Sequence, residues 1–199
     1  MQYHLLPNKP RNGSDCPFVT WKKVFDDNEI DRILAYASSL EKTMGVVGLG
    51  DDGVFNHEIR KSTISWIYNN QESSWIWERM AYVIRDVCSH WYGYNLAGFM
   101  DGIQYSEYYE DGGHYGWHLD SMGDGIELQR KLSITVQLSD PSEYEGGNLE
   151  LFAGSRPTAV DKEKGLGAIF PSFRLHRVAP VTRGVRKSLV LWANGPSFI

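Results

Sequence analysis

The chain has 199 residues, of which 42% are hydrophobic and 23% charged, and it carries a net charge of −5. A chain of this length is the size of one domain with a substantial core. Because acidic residues outnumber basic ones, the composition predicts no basic surface for nucleic acid or an anionic membrane. No apolar stretch approaches the ~20 residues needed to span a bilayer. The sequence therefore predicts a globular protein with neither a nucleic-acid nor a membrane partner.

The two cysteines, Cys16 and Cys88, have neither metal-site spacing nor the pattern of a disulfide framework. The N-terminal residues show no apolar run after a basic patch, so no secretory signal is predicted. Isolated thiols are typical of a reducing compartment. We therefore expect a cytoplasmic protein.

Residues 1–95 are predicted to form an irregular N-terminal arm, short strands and two bracing helices. The predicted order is a strand at 18–25, a helix capped by Asp26 or Asp27 and ending near residue 42, a strand at 60–68, and a helix from residue 73 or 74 to about 92. An apolar stripe on the second helix predicts that it packs on a sheet. This stripe consists of Ile76, Met80, Val83, Ile84, Val87 and Trp91.

Residues 96–199 change to short strand-like runs separated by Gly, Asp and Pro turns. The predicted strands are 102–109, 115–120, 131–139, 148–152, 167–170 and 187–193. Short strands at this spacing are typical of a sandwich or jelly roll. No linker or repeat divides the chain, so we predict a single domain over 1–199, mainly β, with the helices bracing one outer face.

A His-x-Asp pair and a distant histidine form the candidate metal site. On an extended segment His118 and Asp120 would share one face, and His176 could complete the set. Two imidazoles and one carboxylate leave the opposite coordination positions open, as in non-haem Fe(II) oxygenases. Arg186, ten residues after His176, could hold the far carboxylate of a dicarboxylic co-substrate. The pattern indicates a hydroxylase that uses iron and 2-oxoglutarate.

Two other interpretations fit parts of this pattern. The His-x-Asp pair could be a chance pair on a strand, with His176 at the surface. Alternatively, His114 and His118 could bind zinc from a helix, but zinc proteases of that type need a Glu beside the first His. Gly116 and its aromatic neighbours also disfavour a helix there.

Several motifs occur in the same order as in a known family. Residues 109–120 are similar to the pattern Tyr-x-x-Gly-x-x-Tyr-x-x-His-x-Asp, followed by a strand at 130–139, a Gly-Gly turn in 145–149 and the closing segment 170–192. Residues 104–196 thereby resemble the catalytic domain of the prolyl 4-hydroxylase-like branch of the 2-oxoglutarate/Fe(II) dioxygenases. The last third resembles the PKHD-type hydroxylases.

This resemblance implies a double-stranded β-helix, a cupin-like jelly roll, with iron inside one mouth. It implies that His118, Asp120 and His176 are the iron ligands and that Arg186 pairs with the distal carboxylate of 2-oxoglutarate. An arginine at this position can form a planar, bidentate pair with a carboxylate. The implied cofactors are Fe(II), 2-oxoglutarate and O2, and ascorbate is a further candidate.

The resemblance also implies a wall for the 2-oxoglutarate pocket. Tyr109 matches a family tyrosine near the co-substrate, with Tyr108 as the alternative. Gln137 stands where many relatives have a tyrosine that reaches the same carboxylate, which leaves the inner end of the pocket less defined. Ser188 and Trp192 are assigned to the same pocket.

The implied substrate is a prolyl residue in a protein or peptide, with a free amino acid or another small molecule as the alternative. Loops 45–57 and 121–129 could act as lids. Two other classes of function stay open: a non-catalytic jelly-roll module that binds a peptide or sugar, and a metal-dependent lyase or hydrolase that needs no co-substrate.

Overall fold

The computed structural model describes residues 16–46, 56–121 and 129–197. Most of the predicted N-terminal arm and the central parts of both predicted lids fall outside these residues. Within the described residues, no helix is long and apolar enough to cross a membrane.

The described part of the first half contains two α-helices, α1 at Asp27–Ser38 and α2 at Ser74–Val87. Helix α1 begins with a capping box, in which the Asp26 side chain accepts a hydrogen bond from the backbone N–H of Glu29 and the Glu29 side chain accepts one from that of Asp26. These two bonds satisfy donors that the first turn leaves free. The predicted first helix is confirmed, although it ends four residues earlier than expected.

Thirteen strands lie in the described residues. They are β1 Val19–Trp21, β2 Thr43–Met44, β3 Arg60–Lys61, β4 Thr63–Ile67, β5 Ile103–Tyr109, β6 His114–His118, β7 Gln129–Gln137, β8 Tyr144–Gly146, β9 Leu149–Phe152, β10 Pro157–Ala159, β11 Gly167–Pro171, β12 His176–Val178 and β13 Val181–Gly195. The larger sheet has the order β1-β11-β7-β13-β5-β4-β2, with β8 paired to β13, and the smaller sheet has the order β10-β9-β12-β6-β3. All the pairings are antiparallel.

Side chains of the larger sheet alternate between two environments, because successive residues of a strand point to opposite faces. On β7, Ile134 and Val136 pack in the main apolar core, whereas Thr135 between them lines a cavity. On β13, Leu189 and Leu191 join the same core, and the alternate residues line the cavity. The core also contains the buried residues of both helices, so the helices cover one face of this sheet and the cavity lies on the other. The predicted fold class, a mainly β jelly roll with bracing helices, is confirmed.

The end of the second helix differs from the prediction. Helix α2 ends at Val87 and continues as a π-helical turn over Cys88–Tyr92, closed by a hydrogen bond from Gly93 N–H to the Cys88 carbonyl. A π turn is wider than an α turn, so it changes which residue faces the sheet. Tyr92 is therefore buried, whereas Trp91, predicted to belong to the apolar stripe, is 38% exposed.

The predicted strand at 60–68 is divided between the two sheets. Strand β3 pairs with β6 in the smaller sheet, and β4 pairs with β5 in the larger one. Strands β2, β8, β10 and β12 were not predicted, because two or three residues are too few to show an alternating pattern. The closing strand β13 is longer than predicted and pairs with β5, β7 and β8.

Candidate active site

The structure brings His118, Asp120 and His176 together. His118 ends β6 and is paired in register with His176 at the start of β12. The Nε2 of His118 lies 3.6 Å from Oδ1 of Asp120, and the Nε2 of His176 lies 3.5 Å from Oδ2. One ligand atom from each of the three residues lies within 4.8 Å of the others, and these residues form a candidate metal site.

Asp120 reaches this site by a different route from the one predicted. It follows β6 rather than lying on it, so strand alternation does not orient its side chain. Its backbone N–H donates to the Ser172 carbonyl at 2.9 Å, and the Ser133 hydroxyl donates to its Oδ2 at 2.6 Å. These two contacts, from β7 and from the turn after β11, hold the carboxylate beside the imidazoles.

Both imidazoles present Nε2 to the same point. Nδ1 of His118 lies 2.8 Å from the Gly116 carbonyl, and Nδ1 of His176 lies 2.8 Å from the Arg174 carbonyl. A ring nitrogen beside a carbonyl must carry the proton, which leaves Nε2 with a free lone pair. Backbone partners of this kind fix the tautomer and orientation of metal-binding histidines.

The charge states of the site also suit a divalent cation. Burial lowers the pKa of His176, which favours the neutral imidazole that a metal requires. Burial raises the pKa of Asp120, but the adjacent His176, His118 and Ser133 outweigh that effect and hold it well below its usual range. Two imidazole nitrogens and one carboxylate fit Fe(II) with open coordination positions.

A cavity of about 420 Å³ opens beside the triad, and its lining includes Arg186, Ser188 and Trp192. Arg186 is 2% exposed, and its Nη1 lies 3.3 Å from the Ser188 hydroxyl. Among the described residues, Arg186 forms no ion pair with a carboxylate. A buried guanidinium of this kind is costly unless an anion joins it.

Tyr144, which the sequence analysis missed, lines a small second pocket that shares Arg186 with the main cavity. Gln137 is not in the lining of the main cavity but donates from Nε2 to the Tyr144 hydroxyl at 3.0 Å. Burial raises the pKa of Tyr144 and the nearby Arg186 guanidinium partly offsets this rise. The Lys162 ammonium lies 4.7 Å from the centre of the Tyr144 ring. A phenol from β8, seven residues further along the chain, therefore lies beside Gln137.

Of the two candidate tyrosines on β5, Tyr108 lines the cavity and is 3% exposed. Tyr109 points to the opposite face of the sheet, where its hydroxyl donates to Glu107 at 2.8 Å. The geometry therefore favours the alternative, Tyr108, over Tyr109 as the tyrosine of the co-substrate pocket.

The cavity wall also includes Arg60, Tyr115 and Arg130, which the sequence analysis did not assign to it. Arg130 stacks on Trp192 at 3.9 Å and pairs with Asp101 at 3.0 Å. The ring of Tyr115 stacks on His118 with centroids 3.6 Å apart, and the Arg60 guanidinium lies 4.6 Å from the Tyr115 ring.

The alternative zinc site on a helix is wrong. His114 and His118 lie on strand β6, and the two ring nitrogens of His114 contact the Gly112 and Glu58 carbonyls at 2.8 and 3.1 Å. His114 therefore takes no part in the cluster with Asp120.

Comparison with known proteins gives the family. The sequence model of the 2OG-Fe(II) oxygenase superfamily matches residues 103–194, which contain all three candidate ligands and Arg186. Residues 103–194 are therefore similar in sequence to 2OG-Fe(II) oxygenases. The predicted family is thus confirmed, and 2OG-Fe(II) oxygenases use the predicted Fe(II), 2-oxoglutarate and O2.

Curated relatives are similar to part of the chain. A PKHD-type hydroxylase of Teredinibacter turnerae is 42% identical over 88 residues, and one of Acidovorax ebreus is 42% identical over 89 residues. Each match covers 42% of this chain and 39% of the relative, so the chain spans about two fifths of the length of these relatives.

Solved 2OG-Fe(II) oxygenase structures share the fold over most of the chain. A prolyl hydroxylase from Trichoplax adhaerens, in complex with a hypoxia inducible factor peptide, has a TM-score of 0.72 at 19% identity and covers 89% of this chain and 83% of its own. A Pseudomonas putida prolyl-4-hydroxylase has a TM-score of 0.67 at 20% identity. The match covers 91% of this chain and 94% of the hydroxylase.

Proposed function

We propose that the protein is an Fe(II)- and 2-oxoglutarate-dependent hydroxylase. When bound, iron supplies the oxidation: one O2 converts 2-oxoglutarate to succinate and CO2 and converts a substrate C–H to C–OH. The observation that carries the proposal is the triad, in which two histidines held by backbone carbonyls and one carboxylate held by Ser133 face one point beside the cavity of Arg186.

Each residue has a distinct role in this proposal. His118, Asp120 and His176 hold the iron from one side. Arg186 pairs with the distal carboxylate of 2-oxoglutarate, because it is a buried cation without a carboxylate partner among the described residues. The Tyr144 hydroxyl, next to Arg186, would donate a further hydrogen bond to the same carboxylate.

Ser188, Tyr108 and Trp192 complete the co-substrate side of the cavity. Ser188 orients Arg186 through the contact to its Nη1. Tyr108 lies under the guanidinium, whose carbon is 5.5 Å from the ring centre. Trp192 closes the wall on the side of Arg130 and limits the access of water.

For the substrate we propose a prolyl residue in a peptide or protein. Support comes from the relatives, which are named PKHD-type hydroxylases and prolyl hydroxylases, one of them in complex with a peptide. Aromatic and aliphatic side chains in the cavity lining, among them Trp66 and Val178, suit an apolar pyrrolidine ring.

The test is succinate formation and a +16 Da product with Fe(II), 2-oxoglutarate and a library of prolyl peptides. His118→Ala should abolish both, since the variant lacks one of three ligands. His114→Ala is the matched control, a histidine on the same strand outside the triad, and should retain both. Undiminished turnover by His118→Ala contradicts the proposal.

Binding of 2-oxoglutarate to the Mn(II)-loaded protein separates the alternatives. Arg186→Gln should weaken this binding at least about 30-fold, because a desolvated charge pair is truncated. Arg177→Gln, which removes a half-buried arginine paired with Glu150, should leave it unchanged. A lyase or hydrolase would not need Arg186, and a non-catalytic module would not bind 2-oxoglutarate.

A further inference from the structure

The cavity is lined by more arginine side chains than the proposed reaction requires. Among the residues that the structure describes, its charged lining apart from the two histidine ligands consists of Arg60, Asp101, Asp120, Arg130 and Arg186. In the proposed function, Fe(II) is balanced by Asp120 and the carboxylate of 2-oxoglutarate that chelates it. Arg186 is balanced by the distal carboxylate, and Arg130 by Asp101. Arg60 is left with a full positive charge.

Arg60 is held in place by neutral groups. It is 6% exposed, its Nε donates to the Ser62 hydroxyl at 2.9 Å, and its Nη1 donates to the Val46 carbonyl at 3.1 Å. Its Nη2 is buried and has no hydrogen-bond partner among the described residues. None of the described carboxylates pairs with it. A buried charge in this state is costly unless a ligand supplies the missing anion.

The local structure favours close packing around this guanidinium. A Cβ at position 45 would lie 2.5 Å from Arg60 Nε and 2.5 Å from the Ser62 hydroxyl, so Gly45 leaves the room that the side chain occupies. On its other side, Tyr115 lies between Arg60 and the metal ligand His118. Arg60 is thus one aromatic ring away from the triad.

We propose that Arg60 binds a carboxylate of the primary substrate, so that the preferred substrate is a prolyl compound with an acidic group near its ring. This inference rests on the proposed function and specifies its substrate class. The carboxylate could be the α-carboxylate of a free or C-terminal proline, or the side chain of a neighbouring acidic residue in a peptide. Guanidinium recognises both in the same bidentate manner.

The test compares acids with their uncharged amides. Protein loaded with Mn(II) and 2-oxoglutarate is titrated by calorimetry with three pairs: L-proline and L-prolinamide, N-acetyl-L-proline and its amide, and an acetylated, amidated Gly-Pro-Asp-Gly peptide and its Asn counterpart. The wild-type protein should bind the acid of at least one pair about 30-fold more tightly than the amide. The pair that shows the preference identifies the source of the carboxylate.

Variants at position 60 assign the preference to this side chain. Arg60→Gln should bind acid and amide equally, Arg60→Lys should keep part of the difference, and Arg177→Gln should keep all of it. A purely structural role for Arg60 would not change the ratio between acid and amide. Titration with 2-oxoglutarate alone shows whether each variant keeps the co-substrate site, and circular dichroism shows whether it is folded.

The two proposals fail in different ways. If wild-type protein binds 2-oxoglutarate but prefers no acid, or binds no member of the panel, the inference about Arg60 is wrong and the proposed function stands. It is also wrong if Arg60→Gln retains the preference, or if it loses 2-oxoglutarate binding while still folded by circular dichroism. Failure of the wild-type protein to bind 2-oxoglutarate contradicts the proposed function itself.

Discussion

Replacing Ser133 with alanine tests whether the protein itself holds Asp120 for metal binding. The Ser133 hydroxyl donates to Oδ2 of Asp120 at 2.6 Å and lies 3.0 Å from the Ser172 hydroxyl. Both serines are fully buried, so water cannot replace the lost donor without entering the core. The variant leaves all three candidate ligands in the chain and removes only the group that orients one of them.

The expected magnitude follows from this single contact. A hydrogen bond to a charged group contributes about 1.5–3 kcal/mol. Loss of a partner that orients a metal ligand costs about 10- to 100-fold in metal affinity, or about 1.4–2.8 kcal/mol. The two ranges agree, and we expect Ser133→Ala to weaken Fe(II) or Mn(II) binding by 1 to 2 powers of ten.

The assay is Mn(II) affinity, measured by calorimetry, together with the midpoint of thermal unfolding without metal. Ser65→Ala is the matched control, because Ser65 is an equally buried serine on a strand, and its hydroxyl has no partner among the described residues. It should leave metal affinity unchanged. Equal Mn(II) affinities for Ser133→Ala and the wild-type protein would refute the reasoning.

Three further predictions follow from the described contacts. Tyr144→Phe should weaken 2-oxoglutarate binding to the Mn(II)-loaded protein by about 10-fold, the contribution of one hydrogen bond, and equal affinity would exclude the phenol from the site. Burial raises the pKa of Glu107, but hydrogen bonds from Lys42 and two tyrosines outweigh this effect and lower the pKa below 4.5. The ionised Glu107 therefore stabilises the folded protein above that pH, and this contribution is lost as the pH falls. Glu107→Gln should therefore lower the unfolding temperature more at pH 7 than at pH 3, and an equal effect at both would contradict the assignment. Gly146→Ala should destabilise more than Gly154→Ala in urea unfolding, because both have positive φ but only at Gly146 would the added Cβ collide with the Pro180 carbonyl.

The sequence predicted the elements that have a long pattern. Strand β5 and helix α1 follow from alternating or helical spacing over 7 and 12 residues. The candidate ligands could be predicted because a His-x-Asp pair with a distant histidine is a rare combination. The motifs around these residues also occur in the same order as in the family that the sequence resembles. The reason given for Asp120 was incomplete, since hydrogen bonds rather than strand geometry hold it in place.

The missed residues depend on contacts between distant segments. Tyr144 reaches the pocket because β8 pairs with β13, and nothing in its neighbourhood in the sequence indicates that pairing. Arg60 lies on a two-residue strand that pairs with β6, and its burial follows from Gly45 and Tyr115. Tyr109 was preferred over Tyr108 by motif alignment, whereas the pleat of β5 decides between adjacent residues.

The alternation along β13 limits how this protein can vary during evolution. Arg186 and Ser188 face the cavity while Leu189 and Leu191 face the helices. Inserting or deleting one residue between Arg186 and Leu189 would turn one of these two sets to the wrong face, unless a bulge like the irregularity between Val181 and Arg183 absorbed the change. Point replacements on the cavity side and changes in the surrounding loops leave this alternation intact.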